Sequence, residues 1–498
     1  MKILFVSSEV APFAQTGGLA DVSASLPKAL RRLGHDVSVI IPAYRSVFQY
    51  VKNHHNGKDG IKLEDLSDHF SVPVGDKMVD AALWKSVLPK SDVPVYFIQQ
   101  DKYFDRDELY TEGGTDYADN CERFIFFCRA VMEAVSVMSL QPNIIHSNDW
   151  QTGLIPAYQS ILYKQQPYYK KIATIHTIHN LAYQGIFWHW DMLLTGIGWE
   201  HFTFNELEFY GKLNLMKAGV MFADGITTVS PRYALEIQSP GFGCGMESVL
   251  QYRSPMLRGI LNGVCSEQWN PETDKYLVTK YNEDNVFVKK PVCKADLQAA
   301  FGLPKRPETP LFGLVSRFAY QKGIDLIAEA IPTWVENHGV QFVLLGKGDP
   351  NIEAKLQRIA ERYPDNAAVK SEFSEENAHL IEAGADAFLM PSRYEPCGLN
   401  QMYSQIYGTV PIVHDTGGLA DTVVNLTDET AENKTATGFS FADDSLYDLN
   451  TTIWRALTVY WNQRPLWEQL IANGMRQNWS WDKSAAQYAR FYKKVMGK

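Results

Sequence analysis

The sequence predicts an α/β protein made of two doubly wound, Rossmann-like domains, and three observations carry the prediction. Short, continuously apolar segments alternate with helical sequence along most of the chain. The motif Thr16-Gly17-Gly18-Leu19-Ala20-Asp21 recurs as Thr416-Gly417-Gly418-Leu419-Ala420-Asp421. With 498 residues, 45% of them apolar and 12% aromatic, the chain can bury two ordinary cores.

Lys2 to Ser7 reads as a strand, the Gly17-Gly18 loop follows, an amphipathic helix runs from about Leu19 to Leu33, and His35 to Ile41 is a strand ended by Pro42. Further strands are expected near 94–98, 143–147, 171–178, 225–229, 311–316, 340–345, 386–391 and 410–413, most with helical sequence after them. Continuous apolar strands alternating with helices mean parallel sheets covered on both faces. The first domain spans 1–257. A linker, 258–270, is marked by the turn Leu261-Asn262-Gly263-Val264, and the second domain covers 271–478. The segment 479–498 is a Trp- and Tyr-rich amphipathic helix expected to cross back onto the first domain.

Each copy of the repeated motif follows a strand and starts a helix. Glycines there let the backbone approach a ligand, and free N–H groups at a helix N-terminus favour anions or sugar hydroxyls. The duplication predicts two such loops facing a central cleft. The plainer alternative is a tight strand-to-helix turn with no ligand.

The net charge of −10 argues against a nucleic-acid or anionic-membrane partner, so a phosphate ligand requires a local basic cluster. The N-terminal apolar run Ile3 to Val6 is too short for a signal segment and no stretch approaches a membrane span, which gives a cytoplasmic expectation. The six cysteines form no CxxC pair and no metal-ligand spacing, so reduced thiols and no metal are expected.

The basic cluster is present in the second half. A strand ends at Arg317, and Lys322 with Gly323 opens a helix near Ile324, an arrangement suited to clamping a diphosphate. The alternative is a pair of surface cations answered by Asp325 or solvent. After the strand Ala387 to Pro391, Glu395 sits in a Pro/Gly-shaped loop before a helix, where open α/β sheets present catalytic or sugar-binding groups; an ordinary helix-entry acid is the competing role. In the first half, His146 to Trp150 and His176 to Gly185 place polar residues directly after strands. His179, followed by Asn180, is the functional candidate there, whereas His146 and His176 suit structural roles. The tyrosines and tryptophans between Tyr158 and Trp190 offer sugar-stacking faces, with core packing as the commoner use.

Together these segments resemble the bacterial glycogen synthases and plant starch synthases, a family with the two-domain GT-B fold. The resemblance runs over nearly the whole chain, through SSEVAPFAQTGGLADV, HSNDWQTGL, TIHNLAYQG, LEFYGKLNLMKAG, ITTVSPRYALEI, GILNGV, VSRFAYQKGID, LLGKGDP, PSRYEPCGLNQMY and DTGGLADTV. It implies retaining transfer of glucose from ADP-glucose or UDP-glucose, as co-substrate, to the non-reducing end of an α-1,4-glucan such as glycogen, with no cofactor or metal. The first domain would take the acceptor and the second the nucleotide-sugar. Carried across by motif, Arg317 and Lys322 would bind the diphosphate, Glu395 the transferred glucose, and His179 and Asn180 the sugar subsite that Asp149 and Asn262 help shape. Phe373 would stack on the base. Gln15, Gly17, Gly18, Cys397, Gly398, Leu399, Thr416, Gly417 and Gly418 complete the implied donor-binding set. The implied chemistry is front-face departure of the diphosphate as the acceptor hydroxyl enters on the same side.

The chain departs from the family pattern at three places. The Lys of the family's Lys-Thr-Gly-Gly-Leu is Gln15, which removes a cation near the donor phosphates; Cys265 stands where Asp is usual; and the second loop glutamate of related GT-B enzymes is Tyr403. Gln15 motivates a second reading, a weakly active or non-catalytic α-glucan-binding paralogue. A dehydrogenase is disfavoured because the first turn lacks GxGxxG.

Overall fold

The computed structural model describes residues 1–54 and 61–497. The chain forms two compact units, Met1–Gly263 with Trp481–Lys498, and Val264–Ser480.

The sheet of the first unit contains nine strands: β1 (Lys2–Val6), β2 (Asp36–Pro42), β3 (Glu64–Val74), β4 (Lys77–Val87), β5 (Pro94–Gln99), β6 (Ile144–Asn148), β7 (Ala173–Ile178), β8 (Gly225–Thr228) and β9 (Leu257–Gly259). Their order is β9-β8-β7-β6-β1-β2-β5-β4-β3. All pairs from β9 to β5 are parallel, and β4 and β3 add an antiparallel edge. Strands β1, β6 and β8 are buried almost throughout; β1 and β8 read as apolar or small-residue runs, whereas β6 also buries His146 and Asn148. Helix α1 (Gly18–Arg32) carries the crossover from β1 to β2, and α2 (Asn120–Val137) lies in the same core with Phe124, Phe126 and Phe127 fully buried.

The second unit has a six-stranded, wholly parallel sheet: β10 (Leu311–Val315), β11 (Gln341–Leu345), β12 (Ala367–Lys370), β13 (Ala387–Met390), β14 (Val410–His414) and β15 (Phe439–Phe441). The order is β12-β11-β10-β13-β14-β15. The central strand β10 pairs Phe312 with Phe342 on one side and with Ala387 on the other. Helix α3 (Ile324–His338) follows β10, α4 (Asn400–Ile406) follows β13 and α5 (Gly417–Thr422) follows β14. Strand order reverses between β10 and β13, and in open α/β sheets ligands bind at such a switch point, beyond the strands' carboxyl ends.

The last helix, α6 (Trp481–Val495), belongs to the first unit. Tyr488 and Tyr492 are fully buried there, the Tyr492 hydroxyl lies 2.7 Å from His146 Nδ1, and Arg32 pairs with Asp482 at 2.7 Å. Gly225 stays a glycine because a Cβ there would meet Val495 and Phe491 at 2.7 and 2.9 Å. Among the described residues, no helix is long and apolar enough to cross a membrane.

Candidate active site

In the second unit, the loops after β10 and β13 close around a cavity of about 220 Å³ at the switch point. Arg317, Lys322, Ser392, Glu395, Gly398 and Leu399 line it. Lys322 Nζ lies 2.5 Å from Glu395 Oε2, and Ser392 Oγ donates to the same oxygen at 3.0 Å. Arg317 is exposed; among the described residues its guanidinium meets only the Gln321 side chain, at 3.4 Å, and no carboxylate pairs with it. One free guanidinium and one ammonium held by a buried carboxylate can accept a diphosphate and a polar group on one ligand.

Asp325 does not answer either cation. It is taken by Arg393, whose Nη1 and Nη2 donate to its two oxygens at 2.7 and 2.9 Å. The Arg393 guanidinium lies 3.5 Å over the Tyr320 ring, pairs with Asp444 at 2.7 Å, and its backbone N–H donates to the Gln321 carbonyl. Arg393 thus ties the loop carrying Arg317 and Lys322 to the loop carrying Glu395, a role that sequence reading did not assign. Lys offers neither the planar fork nor the stacking face. Arg393→Lys is therefore expected to lower turnover about tenfold or more while the protein stays folded, nearly as much as Arg393→Ala. Steady-state kinetics with parallel circular dichroism check this; full activity of the Lys variant would reduce Arg393 to a surface ion pair.

The second Thr-Gly-Gly copy braces the same loop. Gly418 N–H donates to the Glu395 carbonyl at 3.0 Å, and Thr416 is buried. Gly417 has φ +46, and a Cβ there would lie 1.9 Å from the Glu395 carbonyl oxygen; at Gly418 one would lie 2.0 Å from the Cys397 oxygen. The Gly418 amide is thus spent inside the protein and is not offered to a ligand. Cys397 is buried beside it, and Phe373, on the loop after β12, stands outside the cavity lining and is 76% exposed.

In the first unit, a second polar group gathers at the carboxyl ends of β1, β6 and β7. Glu9, 4% exposed, accepts from Thr16 N–H at 2.6 Å, Thr16 Oγ1 at 2.7 Å and Gly17 N–H at 3.3 Å, so it shapes the first Thr-Gly-Gly loop. Around Gly17 and Gly18 a Cβ would meet nothing within 4 Å. Gln15 is exposed and its amide nitrogen approaches Asp21 at 3.4 Å. Asp149 holds φ +55 and ψ −179, a strained conformation for a residue with a side chain. Its Oδ1 accepts from the backbone N–H groups of His179 at 2.7 Å and Asn180 at 3.4 Å. Asn148 Nδ2 donates to the Val6 carbonyl, so its Oδ1 accepts from His179 Nε2 at 2.9 Å, which leaves His179 Nδ1 as an acceptor. Burial pushes the His179 imidazole down to about 3, so the ring is neutral near pH 7. His146 and His176 are fully buried and bonded to Tyr492 and Thr177 and to Ser147, respectively, which makes them structural. Asn262, just beyond β9, is buried with its side-chain oxygen lacking a partner among the described residues. Glu9 and Asn148 are not singled out by the sequence; the signal available is a polar residue at the end of an apolar strand or up to three positions past it.

Burial, opposed by the two backbone N–H donors, raises the Asp149 carboxyl to about 7, with the Glu9 charge adding to the rise. A carboxyl raised in the folded state destabilises folding once it ionises: the penalty is absent below its unfolded value near 4 and complete above about 7. Asp149→Asn keeps the acceptor oxygen and removes the charge. It is expected to be more stable than the parent by about 1 kcal/mol or more at pH 8, with the gain vanishing toward pH 4. Urea unfolding at the two pH values checks this.

Comparison with known proteins agrees with this geometry. Residues 2–252 match the family model described as starch synthase catalytic domain, and residues 298–466 match glycosyl transferases group 1. The chain is 43% identical to the glycogen synthase of Rhodopirellula baltica and 42% identical to that of Thermotoga maritima, covering all of this chain and 98% and 99% of theirs. The catalytic domain of starch synthase IV from Arabidopsis thaliana, solved bound to ADP and acarbose, superposes with a TM-score of 0.89 at 31% identity, covering 100% of this chain and 99% of that one. Sucrose-phosphate synthase from Thermosynechococcus elongatus shares the fold, at a TM-score of 0.58 and 18% identity over 100% of this chain and 99% of that one. A cation-lined cavity at the switch point of one Rossmann-like unit, a polar group at the strand ends of the other and full-length identity above 40% lead to one conclusion: the chain is a GT-B glycosyltransferase belonging to the glycogen and starch synthase family.

Proposed function

We propose that the protein transfers glucose with retention from ADP-glucose, or from UDP-glucose, to the non-reducing end of an α-1,4-glucan. The observation that carries this reading is the meeting of Arg317, Lys322 and Glu395 on one cavity of the second unit. Arg317 and Lys322 neutralise the diphosphate as the bond from the sugar C1 to the phosphate oxygen breaks. The acceptor O4 forms the new bond to C1 on the same face, and its proton passes to the departing phosphate oxygen. Glu395 and Ser392 take hydroxyls of the transferred glucose. Neutral His179, with Nδ1 open, accepts a hydrogen bond from a sugar hydroxyl; a protonated imidazole would have no acceptor there. ADP in the plant starch synthase complex favours an adenine nucleotide.

Gln15 supports a second reading, a weakened or non-catalytic glucan-binding paralogue, because an exposed amide replaces a cation in the first Thr-Gly-Gly loop. One assay separates the two: release of nucleoside diphosphate with glycogen and either donor, alongside Gln15→Lys. Glycogen-stimulated release with one donor is the expected result, and Gln15→Lys is expected to lower the donor KM several-fold by adding a charge-assisted contact. Silence of both proteins with both donors would discard the transferase reading.

A further inference from the structure

We propose that the aromatic segment 188–204 of the first unit is a second α-glucan-binding surface, separate from the His179 group, that holds the polymer by ring stacking. The inference rests on the glucan acceptor reading above. Trp188, Trp190, Trp199 and Phe204 are 63%, 49%, 41% and 72% exposed, although the core of this unit buries most of its other large aromatic rings. The rings form a chain: Trp188 and Trp190 centroids are 6.4 Å apart, Trp190 and Trp199 5.4 Å, and Trp199 and Phe202 5.5 Å. Their planes meet at 67°, 79° and 76°, so neighbouring rings brace one another edge to face, and Trp188, Trp190 and Trp199 still keep 63%, 49% and 41% of their surface open.

The segment is fastened from below. The Tyr158 hydroxyl donates to the Thr195 carbonyl at 3.1 Å, Gly75 N–H donates to the Leu194 carbonyl at 2.9 Å, and Lys217 Nζ donates to the Phe204 carbonyl at 2.5 Å. Met192 and Thr195 are buried. The exposed rings are therefore presented by an anchored backbone, and a contiguous exposed aromatic patch with polar residues among its rings marks an interaction site. Asp191, Glu200 and Glu206 lie within or beside the chain of rings on a protein of net charge −10, which opposes a polyanion. A neutral polyhydroxylated chain suits both features: its C–H faces stack on indoles and its hydroxyls donate to the carboxylates. The segment starts directly after the short strand Ile186–Phe187, downstream of Asn180, so the platform and the candidate sugar group share one stretch of chain. A second hold on the same polymer raises the local concentration of chain ends.

The test is retardation of the full chain in native gels containing glycogen, without donor, followed by kinetics. Trp188→Ala with Trp190→Ala is expected to weaken glycogen binding and raise the glycogen KM, each about tenfold, the scale of losing a hot-spot aromatic. The donor KM, and kcat with a saturating short maltooligosaccharide, are expected to stay within about twofold, since neither tryptophan is in the reacting site. The Phe versions of both substitutions are expected to retain most of the binding. Unchanged retardation of the Ala variant would overturn the proposal. So would a concentration-dependent dimer in sedimentation that the Ala variant abolishes, because the patch would then be a contact between copies. A parent chain that is retarded by glycogen through these tryptophans yet silent with both donors would support this surface while removing the synthase reading, so the two fail independently.

Discussion

Lys322→Ala is expected to lower kcat by about 10²- to 10³-fold with a smaller change in donor KM, the scale of removing one preorganised charge from a group-transfer site. The ammonium lies 2.5 Å from Glu395 Oε2, with the two side chains 19% and 9% exposed, so it is aimed into the cavity by a carboxylate and not by chance. Removing it has a second consequence. Glu395 keeps the Ser392 hydroxyl as a donor at 3.0 Å but loses its countercharge, and breaking one side of a buried pair costs about 3–5 kcal/mol. A loss of activity alone would therefore confuse chemistry with folding. Lys322→Met combined with Glu395→Gln removes both charges and is expected to recover most of the lost stability while remaining inactive. Thermal unfolding beside steady-state kinetics distinguishes the cases. Near-normal kcat in a folded Lys322→Ala protein would take the ammonium out of the mechanism.

What the sequence made legible follows the physics of each element. The parallel strands were visible because burial on both faces writes an unbroken apolar or small-residue run, as in β1, β11 and β14. The hairpin β3–β4 was not assigned. It lies at a sheet edge, alternates mostly exposed with half-buried residues, and carries Asp65, Asp68, Lys77 and Asp80, so its composition resembles that of a polar loop. The cavity residues Arg317, Lys322 and Glu395 were readable because each follows an apolar strand and precedes a helix. Arg393 was not, since its purpose is set by Asp325, 68 positions away, and by the Tyr320 ring, neither of which leaves a local signature. The repeated Thr-Gly-Gly motif is the instructive case. The sequence presents both copies alike; in the second unit the motif braces the Glu395 loop, whereas over Gly17 and Gly18 of the first unit nothing lies within reach of a Cβ.

Gly418→Ala and Gly18→Ala are accordingly expected to part company. At Gly418 a Cβ would sit 2.0 Å from the Cys397 carbonyl oxygen, and the residue before it is already committed by φ +46 and a 1.9 Å approach to the Glu395 oxygen. Neither obstacle is the end of a flexible side chain. The backbone of the 395–397 loop must move, so Gly418→Ala is expected to cost about 2–4 kcal/mol of stability, within the range for overpacking against rigid structure, and to displace Glu395. At Gly18 nothing lies within 4 Å and the residue is the first of α1. Alanine is the better helix former there, so stability is expected to hold or rise by up to about 1 kcal/mol. If the space over Gly18 exists for a phosphate or sugar, the methyl group enters that space, and the donor KM is expected to rise about tenfold or more in a protein at least as stable as the parent. Unfolding curves and donor titrations of the two variants measure both effects. A stable Gly18→Ala protein with unaltered donor kinetics would mean that the first motif is a turn and nothing more. Loss of stability at Gly18 would mean that the glycine answers to its own fold, as Gly418 does.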